Sequence, residues 1–246
     1  MAVETGPDIW DVQGRTIQLP VAIPSARATA ALFAAPRDAA RRLLGDTGLV
    51  PVTCAGRAAG VLLLVQYDEF ALGSYDEVGV GIVVRGPGRR VGVHLVDLPV
   101  TGSLTCEAGR DIWALPKWLM TGGVTFSEHV ATLSVLDDGA PVVSGAVQGG
   151  GLRIPVRLRL RAPVWSLLDR GARTGELLGG AVSLRVSGLT VGRGQAHLEL
   201  TSHPMAARMQ ALGMAGRPLL TCHVRHLSGE IGAFGVPPPS TSPSSR

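Results

Sequence analysis

The chain has 246 residues, 46% of them hydrophobic and 17% charged, which is enough apolar material for a sizeable core and excludes disorder over most of its length. A formal charge of +4 arises from 23 basic and 19 acidic residues scattered along the chain, unlike the clustered basic face of a nucleic-acid binder. No apolar run, residues 61–65 included, comes near the roughly 20 residues that a membrane span needs.

The first residues are acidic and lack an apolar leader, and three widely spaced cysteines, Cys54, Cys106 and Cys222, read as reduced thiols. The expectation is a cytoplasmic protein with no nucleic-acid or membrane partner. Of the 23 basic residues, 22 are arginine and one is lysine, Lys117. Ammonium and guanidinium differ chemically, so a lone lysine in such a background invites a chemical explanation.

In chain order, residues 37–44 follow Pro36 with Ala and Leu at helical spacing and predict a first helix. Strand-like runs cover residues 61–66, 78–85 and 91–96. Between the last two, Gly86-Pro-Gly88 has the spacing of a hairpin loop and not of a phosphate-binding turn. A second helix is predicted from about Thr105 to Trp113, stopping before Pro116. Residues 130–136 and 142–147 flank Asp137-Asp138-Gly139, a hairpin signal because Asp-Gly supplies positive φ.

The segment from Leu152 to Arg161 alternates leucine-type and arginine residues and predicts a strand with one basic face, its Pro155 marking an edge or a bulge. Such a face suits solvent, a subunit interface or an anionic ligand. Strands over 181–186, 196–201 and 219–226 follow, with a helix over 205–212 opened by Pro204. Cys222, His223 and His226 could hold a metal only if they shared a face, and a two-residue period sends His223 and His226 to opposite faces; no metal site is expected. The pattern predicts a β-rich α+β single domain over residues 1–236, built on a curved or closed antiparallel barrel with a few peripheral helices. The Pro/Ser-rich residues 237–246 read as a disordered tail.

Lys117 lies in Gly109-Arg-Asp-Ile-Trp-Ala-Leu-Pro-Lys117-Trp118, where Pro116 stiffens the backbone and Trp113 and Trp118 add apolar bulk. Burial disfavours the ammonium, and a neutral amine attacks ketones and aldehydes to form an imine. An ordinary surface lysine whose stem covers Trp118 is the alternative.

The run Gly109–Lys117 resembles the Gly-Arg-Glu-x-x-(Gly/Ala)-(Phe/Tyr)-Pro-Lys signature of the acetoacetate decarboxylase-like superfamily. Gly73-Ser-Tyr-Asp-Glu77 is similar to the same family's Gly-x-Tyr-x-Glu, and weaker likeness extends over residues 25 to 235. The resemblance implies a barrel fold, a homo-oligomer, no cofactor and a small-molecule carbonyl substrate. It implies catalytic roles for Lys117, as the imine-forming amine, and for Glu77, as a pocket carboxylate that moves or positions a proton. It implies substrate-binding roles for Arg27, toward a carboxylate, and for Trp113, Trp118 and Leu62 as pocket wall. Two positions depart from the decarboxylase itself: Trp118 stands where it has a second lysine, and Leu62 where it has a second carboxylate. In that decarboxylase the neighbouring cation activates the imine-forming lysine, so its loss here argues against acetoacetate as substrate.

These residues lead to a Schiff-base lyase acting on a keto-acid or related carbonyl, larger and more apolar than acetoacetate, by decarboxylation, retro-aldol cleavage or dehydration in natural-product or catabolic metabolism. The alternatives are a cyclase of a polyketide-type intermediate using the same pocket without an imine, and a non-catalytic ligand-binding barrel.

Overall fold

A computed structural model describes residues 2–169 and 174–237. Three short strands open the chain as a small antiparallel sheet: β1 (Val3–Gly6), β2 (Ile9–Val12) and β3 (Arg15–Gln18). A long strand, β4 (Val21–Pro36), runs into α1 (Arg37–Leu44), and two short strands, β5 (Val50–Pro51) and β6 (Thr53–Cys54), precede β7 (Arg57–Glu69), β8 (Tyr75–Arg85) and β9 (Val91–Val100). After α2 (Ser103–Trp113) come β10 (Lys117–Leu119), β11 (Thr121–Phe126), β12 (Val130–Asp137), β13 (Ala140–Gln148) and β14 (Leu152–Ile154). The chain continues through β15 (Leu158–Leu167), β16 (Leu177–Gly192), β17 (Gln195–Leu200), α3 (Pro204–Ala211) and β18 (Leu220–Ile231).

Seven strands close a barrel in the order β8, β7, β4, β18, β16, β15, β9 and back to β8. Six seams are antiparallel, as expected from the sequence. The seventh, β15 with β9, is parallel and only two residue pairs long, Val164 with Val93 and Trp165 with His94, so the barrel is mixed. A separate sheet, β11-β12-β13-β17, lies on the outside.

The two-residue period of β7 separates the two faces. Leu62 and Leu64 pack with Val124, Leu133 and Val143 of the outer sheet, so even-numbered positions face outward. Val65 packs with Ala26 and Ala28 of the neighbouring β4 and with Val182 and Val224 of the more distant β16 and β18, so odd-numbered positions line the lumen. The large outer core, with Phe33, Ile82, Met205 and Met209 fully buried, glues the second sheet and the helices α1 and α3 to the barrel wall. Each such side chain contributes roughly 1.5–3 kcal/mol on burial.

The three helices and the hairpin at Asp138-Gly139 stand where the sequence predicts them, with φ of 46° and 82° at the turn. The segment Gly86 to Arg90 is the expected loop. Pro155 splits the predicted arginine strand into β14 and β15, because proline cannot donate to the ladder. On β15, Arg159 and Arg161 are exposed and Arg159 stands directly opposite Arg185. Strand β4 carries no strand signal in the sequence: it is alanine-rich and holds Pro24, and its pairing on both sides, not its propensity, makes it a strand. The predicted tail lies outside the described residues apart from Pro237. No helix among the described residues is long and apolar enough to cross a membrane.

Helix α3 is clamped to the barrel by Arg208, whose Nε and Nη2 each donate to a carboxylate oxygen of Asp97 at 2.5 Å. Asp97 is 3% exposed, so removal of the guanidinium leaves a buried anion unpaired. Because Arg208 itself is about one-third exposed, Arg208→Ala should cost about 2–3 kcal/mol in urea unfolding, less than the roughly 3–5 kcal/mol of a fully buried pair. A cost below about 0.5 kcal/mol would show that the clamp contributes nothing beyond an ordinary surface pair.

Candidate active site inside the barrel

Lys117 is delivered to the lumen by a sequence of local constraints. Helix α2 ends at Ala114, whose φ of 53° reverses the chain, and Leu115-Pro116 leads into β10. That strand runs parallel to the end of β9, pairing Lys117 with Leu98. Lys117 then folds back over α2 at Gly109, where an added Cβ would collide with its Cδ and Cε. Glycine at 109 is therefore a packing requirement: any side chain would occupy the path of the lysine stem.

Glu77 enters from β8, where it pairs with Val65 on one side and Val100 on the other. Its Oε2 lies 2.9 Å from Lys117 Nζ, and both side chains are buried. Lys117 Nζ also donates to Thr105 Oγ1 at 3.1 Å and to the Tyr75 hydroxyl at 3.5 Å. An ammonium has three donors, and here three acceptors meet them. The Tyr75 hydroxyl donates to Glu77 Oε2 at 3.3 Å and the Tyr67 hydroxyl to Oε1 at 3.4 Å. The Tyr67 and Tyr75 rings stack with centroids 4.4 Å apart, Phe70 closes against both, and Nζ lies 5.0 Å from the Tyr75 centroid. Burial first, and the Glu77 carboxylate second, raise both phenols well above their ordinary value of 10.0, so both remain neutral donors.

The structure thus joins Lys117 and Glu77 and adds Tyr67, Tyr75 and Thr105, none of which is among the site residues expected from the sequence. It does not bring the other four expected residues to them. Arg27 and Leu62 lie on the outer faces of their strands. Arg27 donates to Gln66 Oε1 at 2.6 Å, pairs with Asp68 at 2.9 Å and sits 5.7 Å from the Phe126 ring of the outer sheet. Leu62 is fully buried in the outer core. Trp113 packs in a separate cluster with Val12, Leu19 and Leu98, its indole donating to Gly232 O at 2.8 Å. Trp118 follows Lys117 on a strand and so faces the other way, with its ring 5.6 Å from His203. The physical reason is the same for Arg27, Leu62 and Trp118: a one-residue offset along a strand exchanges its faces.

Outside the lumen, His223 is buried with its Nδ1 2.7 Å from Thr29 Oγ1 while His226 is exposed, and no metal-binding cluster occurs among the described residues. A surface depression of about 660 Å3 around Trp165, Arg90 and Arg161 contains no residue of the Lys117 cluster.

Tyr67 and Tyr75 are the chain's two tyrosines, so tyrosinate absorbance reads this site alone. Their folded values are raised, so the folded state holds these protons more tightly than the unfolded chain, and stability falls as pH rises above about 10. Tyrosinate absorbance should stay suppressed at pH 10 while the fold persists and appear with unfolding; half-ionisation at pH 10 in the intact fold would contradict the buried, carboxylate-facing placement.

The acetoacetate decarboxylase family model matches residues 12–227. No curated protein matches the sequence. Among solved structures, an acetoacetate decarboxylase shares the fold with a TM-score of 0.67 at 15% identity, covering 89% of this chain and 90% of that one. The acetoacetate decarboxylase of Legionella pneumophila gives 0.63 at 13% identity, with 87% and 88% covered. The enduracididine biosynthesis enzyme MppR gives 0.62 at 16% identity, with 86% and 88% covered. With its motif lysine and motif glutamate meeting inside a barrel of this form, and a family match over most of its length, the chain belongs to the acetoacetate decarboxylase family of enzymes.

Proposed function

We propose that the protein is a Schiff-base-forming lyase in which Lys117 is the nucleophile and Glu77 its proton acceptor. The observation that carries this reading is the buried 2.9 Å contact between Lys117 Nζ and Glu77 Oε2. Taking two charges out of water costs several kcal/mol per ion, which pairing offsets only partly, so a buried pair of this kind is a weak stabilising device. It is well suited to moving a proton over one hydrogen bond.

In the proposed reaction the ammonium passes a proton to Glu77 and the freed amine attacks the substrate carbonyl carbon. A C–N bond forms, the carbonyl oxygen takes one proton from the adding amine and one back from Glu77 and leaves as water, and the iminium that results accepts the electron pair of a breaking bond. In a retro-aldol step Glu77 takes the β-hydroxyl proton, the Cα–Cβ bond breaks, an aldehyde departs and an enamine remains. Protonation of the enamine and hydrolysis of the iminium return the amine and consume one water, matching the water released on entry. Loss of carbon dioxide or of a β-hydroxyl draws on the same electron sink. The neutral phenols of Tyr67 and Tyr75 hold Glu77 at both oxygens and keep it aimed at Nζ. MppR, the family relative solved with pyruvate, supports a carbonyl compound as the class of ligand for this barrel.

The apolar lumen favours a second reading, cyclisation of a bound chain by shape without an imine. Borohydride trapping separates the two. Lys117 is the sole lysine, so a reduced adduct found by intact mass and peptide mapping is assigned without ambiguity against the N-terminal amine. The lyase reading predicts an adduct on residue 117 and its loss, with loss of turnover, in Lys117→Met. Full turnover in Lys117→Met would favour the cyclase. Gly109→Ala places a methyl group on the lysine stem, so trapping should slow by at least about tenfold while the circular dichroism spectrum is unchanged, since alanine suits a helix better than glycine. Unchanged trapping would mean that the stem does not need this path.

A further inference from the structure

The charge balance of the lumen bears on what enters it, an inference that rests on the Schiff-base reading above. Lys117 and Glu77 neutralise one another, and the phenols beside them are uncharged. Among the described residues no arginine or second lysine lies within hydrogen-bonding or ion-pairing distance of Lys117, Glu77, Tyr67, Tyr75 or Thr105. The arginine assigned to a substrate carboxylate by resemblance, Arg27, is on the other side of the wall and already holds Asp68. Formation of an iminium retains the balance, one positive nitrogen against one carboxylate. A substrate carrying its own carboxylate next to the carbonyl would add a second buried anion with no cation among the described residues of the cluster to meet it, and an unpaired buried charge is among the most costly groups to bring into a protein. An apolar cluster inside the barrel adjoins the pair: Ala26, Ala28, Val65, Val182, Val224 and Leu227, with the stacked face of Tyr67, Tyr75 and Phe70 at the reacting end.

We propose that the site selects a neutral ketone or aldehyde with an apolar body, and disfavours α-keto acids. The reaction that suits such a substrate is aldol-type cleavage or condensation, or dehydration of a β-hydroxy ketone, because a substrate without a carboxylate has no carbon dioxide to lose.

The test uses the full chain and a matched pair of carbonyl compounds, 4-phenyl-2-butanone and 2-oxo-4-phenylbutanoate, which differ in a methyl group replaced by a carboxylate. Each is trapped with borohydride, and the yield on Lys117 is normalised to the yield on free Nα-acetyl-lysine, which removes the difference in intrinsic reactivity. The expected result is a normalised preference of at least about tenfold for the ketone, as an unpaired buried anion requires. Equal or better trapping of the keto acid would overturn the proposal while leaving the covalent mechanism standing. No adduct on Lys117 with either compound would overturn both.

Discussion

A lysine and a glutamate brought together inside a β-barrel impose the constraint on which the rest of this structure depends. Neither charge survives alone in that environment, so each must be delivered accurately to the other, and the surrounding architecture is organised around that delivery. Helix α2 ends in a left-handed residue so that the chain can reverse, β10 fastens to the end of β9, and Gly109 leaves a channel for the lysine stem. On the other edge of β9, the register of β8 against β7 puts Glu77 and Tyr75 beside Tyr67 on one face. The hydrogen bonds from the two phenols give each carboxylate oxygen a neutral donor.

The same constraint explains the division of the molecule into a lumen and an outer core. Inside the barrel, an apolar cluster of mostly small and β-branched side chains comes from β4, β7, β16 and β18, while Phe33 on the outer face of β4 packs in one core with Met205 and Met209 of α3 and with the second sheet. The low strand propensity of an alanine-rich wall strand is offset by pairing on both edges and by the burial behind it. The larger apolar cluster thus lies outside the barrel wall, and the Lys117–Glu77 pair lies inside it.

How far the sequence shows this depends on which physical signal carries each residue. Lys117 stands out because arginine replaces every other basic position, and Glu77 because it sits in a short motif with Tyr75. The period-two spacing of Tyr75 and Glu77 already puts them on one face, so Tyr75 could have been found; Thr105, one helical turn before Gly109, could have been found in the same way. Tyr67 could not, since only the pairing of Tyr67 with Tyr75 across β7 and β8 brings it in. Arg27, Leu62 and Trp118 fail for the complementary reason: proximity in a motif says nothing of strand parity, and an offset of one residue turns a pocket residue into a core or surface one. Helices α1, α2 and α3 are legible because capping, proline placement and spacing are local; β4 is not, because its stability is tertiary.

The central claim is that covalent chemistry occurs at Lys117, with the body of the substrate lying in the apolar lumen. A crystal structure of the protein reduced in the presence of a neutral aryl ketone tests it most directly. The predicted result is continuous density from Lys117 Nζ, with the aryl group against Tyr67 and Tyr75 and Glu77 within hydrogen-bonding distance of the secondary amine. An unmodified Lys117, with the ligand bound instead in the surface depression beside Trp165 and Arg161, would contradict it.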